Sequence, residues 1–260
     1  VNTWPGTGFL SDSDDNRARE FMSAWANPEI KAIFTLRGGY GALRILEKID
    51  FDVVRNNPKL FMGFSDITIL LNHIVHHTNT VCLHGPVVSS LASSDKLSIE
   101  RLYNCLCGNW LGHLKENVEV IRSAPPVSGI LMGGNLSSLV TLLGTTWDIS
   151  YTDCILLLED INEPHYRLDR LLTQLFLGRK FDGVKGIILG DFLNKTVMNR
   201  NDQLRTQEFV WQRVLECVPN PHVPIWGNFP AGHSTQNITL PIGARCTMDS
   251  SQRLLSFQAE

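Results

Sequence analysis

Charge of one sign is scarce in this chain. Its 23 basic and 26 acidic side chains leave a net charge of -3, without a long block of either sign. The electrostatic footprint expected for nucleic acid or an anionic membrane surface is therefore missing, and neither is expected as a partner. Long apolar runs are missing too. Even CILLLE, Cys154 to Glu159, soon meets acids, so nothing approaches the roughly 20 apolar residues that cross a bilayer. Cysteine is sparse for a disulfide framework, with six in 260 residues (Cys82, Cys105, Cys107, Cys154, Cys217, Cys246), and only Cys105 and Cys107 stand close. Set in apolar surroundings, they read as reduced buried thiols in a reducing compartment. No repeat, Walker lysine-serine pair, G-x-G-x-x-G or H-E-x-x-H occurs. The chain opens at Val1 with neither an initiator methionine nor a basic-then-apolar leader, and a removed signal peptide stays open.

What is present is a globular composition, 43% hydrophobic, enough for one large core or two smaller ones. The first half alternates: DSDDNRAREFMSAWANP reads as a capped helix, IKAIFTL as a strand, GALRILEKI as a helix, KLFMGF as a strand, DITILLNHIVHHT as a helix and TVCLHG as a strand. That order argues for α/β architecture with a parallel sheet. The segment 111–128 is less periodic and reads as a linker, which divides the chain into 1–110 and 129–260. The second half opens on GILMGGNLSSLVTLLGT, where Asn135 is the expected N-cap of an apolar helix. Strand CILLLE, helix YRLDRLLTQLF, strand VKGIILGDF and helix QEFVWQRVLECV follow, and short strands ITLPIG, ARCTMD and RLLSFQ close the chain. A ligand site between the two halves is expected.

Four loops could carry chemistry. In LFMGFSDITILL, Ser65 sits at a tight strand-to-helix turn that exposes its hydroxyl beside the following backbone N–H, a geometry that suits a nucleophile. Gly63 would allow the backbone approach and Asp66 could cap the helix; on spacing alone, Ser65 as a helix cap is the plainer alternative. In LRGGYGALRI, Gly38 and Gly39 could turn backbone N–H groups toward a phosphate or a transient oxyanion, or simply make a tight turn. In LLLEDINEPHYRLDRLLTQL, Glu159 ends a buried strand and needs a partner, an imidazole or one of Arg167 and Arg170, while Asp160 reads as charging the next helix. In NFPAGHSTQNITLPIGA, His233 lies in a polar loop that suits a general base. His73, His76 and His77 read instead as a solvated helix end without a carboxylate for a metal site, and His84 as a hydrogen-bonded turn residue.

In order, RGGYGALRIL, GFSDIT, HGPVVSSL, GGNLSSLVTLLGTTW, LLLEDINEPHYRLDRLLTQL and GHSTQNITLPIGA resemble the LD-carboxypeptidase family, serine peptidases that include the microcin self-immunity hydrolases. The resemblance implies a Rossmann-like parallel-sheet N-terminal domain and a β-rich α+β C-terminal domain with the cleft between them. It implies a triad of Ser65, Glu159 and His233, an oxyanion hole from Gly38 or Gly39 and the N–H of Asp66, and no metal or cofactor. Arg37 and Trp147 are candidates for holding substrate, with packing or turn stabilisation as the alternative. The implied substrate is a murein tetrapeptide or related muropeptide, met in the cytoplasm during cell-wall recycling by a homodimer. A microcin-type amide hydrolase is the alternative within the enzyme class, and a non-catalytic module holding a nucleotide or sugar phosphate on RGGYG is the alternative outside it. The family pattern also implies a first strand and helix ahead of the position matching Asp14. Without them the parallel sheet is expected to show an exposed edge.

Overall fold

The computed structural model describes residues 9–193 and 200–258. Ser13 caps the first helix, α1 (Asp14–Ala26), by accepting the N–H of Asn16. There follow β1 (Ala32–Phe34), α2 (Ala42–Leu46), α3 (Phe51–Asn56), β2 (Leu60–Gly63), α4 (Thr68–Thr78), β3 (Cys82–His84) and α5 (Lys96–Leu106). Then come β4 (Gly112–Lys115), β5 (Glu119–Arg122), β6 (Val127–Asn135), α6 (Leu136–Val140), β7 (Cys154–Ile161), α7 (His165–Leu177) and β8 (Gly186–Leu193). The chain closes with α8 (Arg200–Cys217), β9 (Ile225–Gly227), β10 (Leu240–Ile242), β11 (Arg245–Asp249) and β12 (Leu254–Phe257).

These elements form two sheets, ordered β1-β2-β3-β10 and β4-β12-β11-β6-β7-β8-β9-β5. The helix-linked strands β1, β2 and β3 are parallel, as are β6 through β9, and antiparallel strands flank both sets. The fold is therefore mixed α/β, built from parallel strands with covering helices. Two features depart from the sequence reading. The segment 111–128 is no bare linker: it supplies β4 and β5, the opposite edge strands of the larger sheet. And β10, from the second half, pairs antiparallel with β3 of the first, Leu240 opposite His84. The strand β1 lies at a sheet edge with Phe34 exposed.

The long middle strands are apolar because both of their faces are covered. In β7, Cys154 through Asp160 are all buried, the pattern of a parallel strand packed on both faces. Helix α7 buries only Leu168, Leu172 and Leu175, one stripe at i, i+4 and i+7. Helix α4 is different, since every residue from Thr68 to Val75 is buried. It runs between the halves and its polar side chains join them. Asn72 accepts the N–H of Gly133 at 2.8 Å and donates to the Gly133 carbonyl at 2.9 Å, while Thr68 Oγ1 accepts the N–H of Asn135 at 3.0 Å. Asn72→Ala would leave both backbone groups of Gly133 buried without partners, so a loss of about 3 kcal/mol in unfolding free energy is expected by chemical denaturation. A loss below about 1 kcal/mol would mean that this clamp does not hold the halves together.

Candidate active site

The C-terminal ends of the parallel strands of both sheets converge. In open α/β sheets these ends are where ligands collect. Ser65 follows β2, His84 ends β3, Asn135 ends β6 in register with Glu159 of β7, and Asp191 lies near the end of β8. Ser65 opens a short 3-10 turn, Ser65–Ile67, that leads directly into α4. Its φ is 63°, left-handed backbone that a β-carbon resists, so the turn stores strain where the hydroxyl is presented. Close approach makes the turn possible. A β-carbon at Gly63 would fall 2.6 Å from both Ile67 and Thr35, and one at Gly38 would fall 2.7 Å from Ser65 Cβ and 3.0 Å from its Oγ. The glycine loop therefore lies directly against the serine.

Glu159 is fully buried, and its Oε2 accepts the Nδ1–H of His233 at 2.7 Å. With Nδ1 turned to the carboxylate, Nε2 is the ring nitrogen on the opposite side, the one suited to proton transfer. The imidazole also packs on Phe64, with ring centroids 4.7 Å apart. Because Phe64 immediately precedes Ser65, the serine turn and the histidine loop are held side by side. The histidine loop is anchored by Asp191, whose Oδ2 accepts the N–H of Ser234 at 3.0 Å, and by Asn237, whose Oδ1 accepts the N–H of Gly232 at 3.1 Å. Burial pushes the Asp191 carboxyl up to about 6; bonds from Ser234 oppose this, the negative charge of Glu159 adds to it and His233 opposes it. Asp191 escaped the sequence reading. The signal was available, since it ends an apolar strand, VKGIILGDF, as Glu159 ends CILLLE.

Several neighbours take roles other than those expected. Asp66 does not cap α4; its Oδ2 accepts the N–H of Ala42 at 2.8 Å and so pins the start of α2 after the glycine loop. Burial raises its carboxyl pKa, and the Ala42 bond opposes this. Asp160 serves α6 rather than the following α7: its Oδ2 accepts the N–H and hydroxyl of Ser137, and its Oδ1 takes Asn135 Nδ2 and the Ile161 N–H. Burial, aided by the charge of Glu159, pushes Asp160 up to about 6. Asn135 does cap α6, accepting the N–H of Ser138. Neither arginine reaches Glu159. Arg167 pairs with Glu163 at 2.9 Å and Arg170 lies over the Tyr166 ring.

Of the two substrate candidates, Arg37 is exposed in the glycine loop, with its Nε 3.9 Å from where a β-carbon on Gly39 would lie. Trp147 is elsewhere. It packs on His73, His77 and Phe51, with centroids 5.6, 6.0 and 6.1 Å away, toward the far end of α4 from Ser65. The expected solvated helix end is thus only partly solvated: His73 is fully buried, and burial pushes its pKa down to about 4. His84 is likewise no hydrogen-bonded turn residue. It is fully buried, and neither ring nitrogen has a hydrogen-bond partner. Among the described residues no group of three or more His, Cys, Asp or Glu side chains could hold a metal ion, and no helix is long and apolar enough to cross a membrane.

A profile described as the LD-carboxypeptidase N-terminal domain matches residues 2–85, and one described as the C-terminal domain matches residues 128–248. The chain is 32% identical to a probable murein peptide carboxypeptidase of Bacillus subtilis (strain 168), over 97% of this chain and 79% of that protein. Among solved structures it is similar to an MccF-like protein from Bacillus anthracis, with a TM-score of 0.83 and 28% identity over 98% of this chain and 84% of that one. It is also similar to muramoyltetrapeptide carboxypeptidase from Oxalobacter formigenes, with a TM-score of 0.80 and 28% identity over 99% of this chain and 87% of that one. With both domain profiles in order along one chain and a relative aligned over nearly its whole length, this chain belongs to the LD-carboxypeptidase family of serine carboxypeptidases.

Proposed function

We propose that this protein releases the terminal D-alanine from murein tetrapeptides, using Ser65, Glu159 and His233 as a triad. The observation that carries the reading is the buried Glu159–His233 pair at 2.7 Å, set beside a serine in left-handed backbone by the contact of Phe64 with the His233 ring. Ser65 Oγ attacks the carbonyl before the terminal residue while His233 Nε2 takes the hydroxyl proton. Glu159 fixes the ring tautomer and stabilises the imidazolium. The tetrahedral oxyanion is received by the N–H of Asp66 with that of Gly38 or Gly39. Collapse returns the proton to the leaving amine, D-alanine departs, and water activated by the neutral His233 hydrolyses the acyl-enzyme. Arg37, exposed beside the glycine loop, is the candidate for the substrate's terminal carboxylate.

The scissile bond joins an L centre to a D residue, so a site shaped for L-L bonds would offer its serine the wrong carbonyl face. The reading includes a division into residues 1–110 and 129–260, a cytoplasmic place in cell-wall recycling and a homodimer. Its test is release of D-alanine from L-Ala-γ-D-Glu-diaminopimelate-D-Ala by purified protein, followed by amino-acid analysis. The expected result is turnover of this peptide and none of the diastereomer ending in L-alanine. Equal turnover of both, or of neither, overturns the reading. The likeness to an MccF-like protein favours one second reading, an amide hydrolase acting on peptidyl-nucleotide conjugates; cleavage of such a conjugate without cleavage of the tetrapeptide would select it.

A further inference from the structure

Behind the Glu159–His233 pair lies a set of polar atoms that the proposed triad does not use. Glu159 gives one carboxylate oxygen to His233, and its other oxygen, Oε1, is buried without a partner. Both ring nitrogens of His84, the hydroxyl of Thr239 and the side-chain nitrogen of Asn237 are in the same condition. All four residues are at most 3% exposed. They are also neighbours. His84 stands opposite Gly63 on one side, two residues before Ser65, and opposite Leu240 on the other, next to Thr239. The Thr239 hydroxyl lies 2.7 Å from where a β-carbon on Gly85 would sit. Asn237 holds the N–H of Gly232, where a β-carbon would lie 3.1 Å from Glu159 Oε2. The Phe64 ring meets His84 edge-on at 6.1 Å and His233 at 4.7 Å, so the two imidazoles flank one phenyl ring.

Each buried orphan is costly, and a cluster of them has complementary chemistry here. A carboxylate oxygen only accepts. A neutral imidazole offers one N–H and one lone pair, a hydroxyl does both, and an amide nitrogen donates. His84 is neutral at physiological pH, since burial takes it down to about 4 despite the opposing pull of Glu159's charge. With a water linking its N–H to Glu159 Oε1, its lone pair accepting from the Thr239 hydroxyl and that hydroxyl accepting from Asn237 Nδ2, every orphan acquires a partner.

We propose that His84 is a positioning residue of the hydrolytic site, whose N–H, across one bridging water, provides the second hydrogen bond that holds the Glu159 carboxylate ionised and aimed at His233. The inference rests on the triad reading, and its test separates the two. Three proteins are compared: wild type, His84→Phe, which keeps a ring but has no donor, and His84→Gln, which keeps an N–H. Each is checked for folding by circular dichroism and thermal melting. His84→Phe is expected to lower kcat on the tetrapeptide by about 10- to 100-fold, the worth of one hydrogen bond to a charged group, with KM nearly unchanged. His84→Gln is expected to recover most of kcat.

The pH profile carries the decisive readout. The deprotonated pair, Glu159 ionised and His233 neutral, carries one more negative charge than the protonated pair. A donor at Glu159 stabilises that deprotonated form, so losing it moves the acid limb of kcat/KM to higher pH, by about one unit. Asp160 beside Glu159 on β7 and Asp191 on β8 also face the pair, and both remain in every variant. A packing role would scale the profile without moving its limb. Titration of the His233 ring by NMR in wild type and His84→Phe gives the same shift without substrate, and replaces the kinetic comparison if the peptide is not turned over. Should His84→Phe not fold, His84→Leu takes its place. An unmoved His233 titration in a folded donorless variant overturns the proposal, as do equal losses in the Phe and Gln variants. Inactive wild type with a shifted His233 titration would instead fault the substrate assignment.

Discussion

Ser65→Ala is expected to reduce kcat for D-alanine release by about 10⁴- to 10⁶-fold while leaving the fold in place, because it removes the only atom that forms the acyl bond in the proposed mechanism. The residue is at the start of a turn whose hydrogen bonds are made by backbone, and among the described residues no side-chain bond from its hydroxyl holds the structure. Thermal melting of the Ala variant should therefore match wild type closely. Ser65→Gly sharpens the test. At φ 63° the native backbone favours glycine, so this variant is expected to be equally inactive yet more stable, by up to about 1 kcal/mol in chemical denaturation. Opposite movements of activity and stability at one position are the mark of strain kept for function. Activity of Ser65→Ala above about a tenth of wild type would remove the serine from the mechanism.

The polar residues that end apolar runs were the most legible part of the site. Glu159 after CILLL and Ser65 after LFMGF are expensive to place unless something at the strand end receives them, and the local pattern alone shows this. Their partners were not legible in the same way. His233 is 74 residues beyond Glu159, and the arginines nearer in sequence were equally good candidates until the loop was seen folded back over β7. Capping roles failed for a related reason. Asp66 and Asp160 stand where a helix follows, but each carboxylate reaches across to another loop, to Ala42 and to Ser137, because the strand ends bring those N–H groups closer than the local helix does.

Edge and burial were the other blind spots. GHLK and EVIR are four-residue strands whose exposure alternates weakly, and only pairing with β12 and β9 makes them strands at all. The histidines of HIVHH have helical spacing that fits a solvated end, but α4 is buried from Thr68 to Val75, only His76 is exposed, and Trp147 from the second half closes over His73 and His77. Whether a histidine is wet or dry depends on a residue some 70 positions away, which periodicity does not report. The same packing removes Trp147 from the strand ends that carry Ser65, Glu159 and His233.

Glu159→Gln is the substitution that separates orientation from charge at the second triad position. The amide has the shape of the carboxylate, so β7 and the Gly232 loop packed on it should be undisturbed, and burying a neutral group in place of a charged one carries no added desolvation cost. Stability is expected to stay level or rise. Catalysis is not. If the amide nitrogen donates to His233 Nδ1, the ring proton moves to Nε2 and the nitrogen facing Ser65 can no longer accept; if the amide oxygen accepts from Nδ1–H, the imidazolium formed in the transition state loses its counter-charge. Either arrangement penalises the transition state, and kcat should fall by about 10³- to 10⁴-fold with little change in KM. Steady-state kinetics across pH together with unfolding of the same preparation checks both halves. A Gln variant within tenfold of wild-type kcat would mean that Glu159 serves the fold and that His233 needs no anion behind it, whereas an inactive variant that melts as high as wild type places the buried charge in the chemistry.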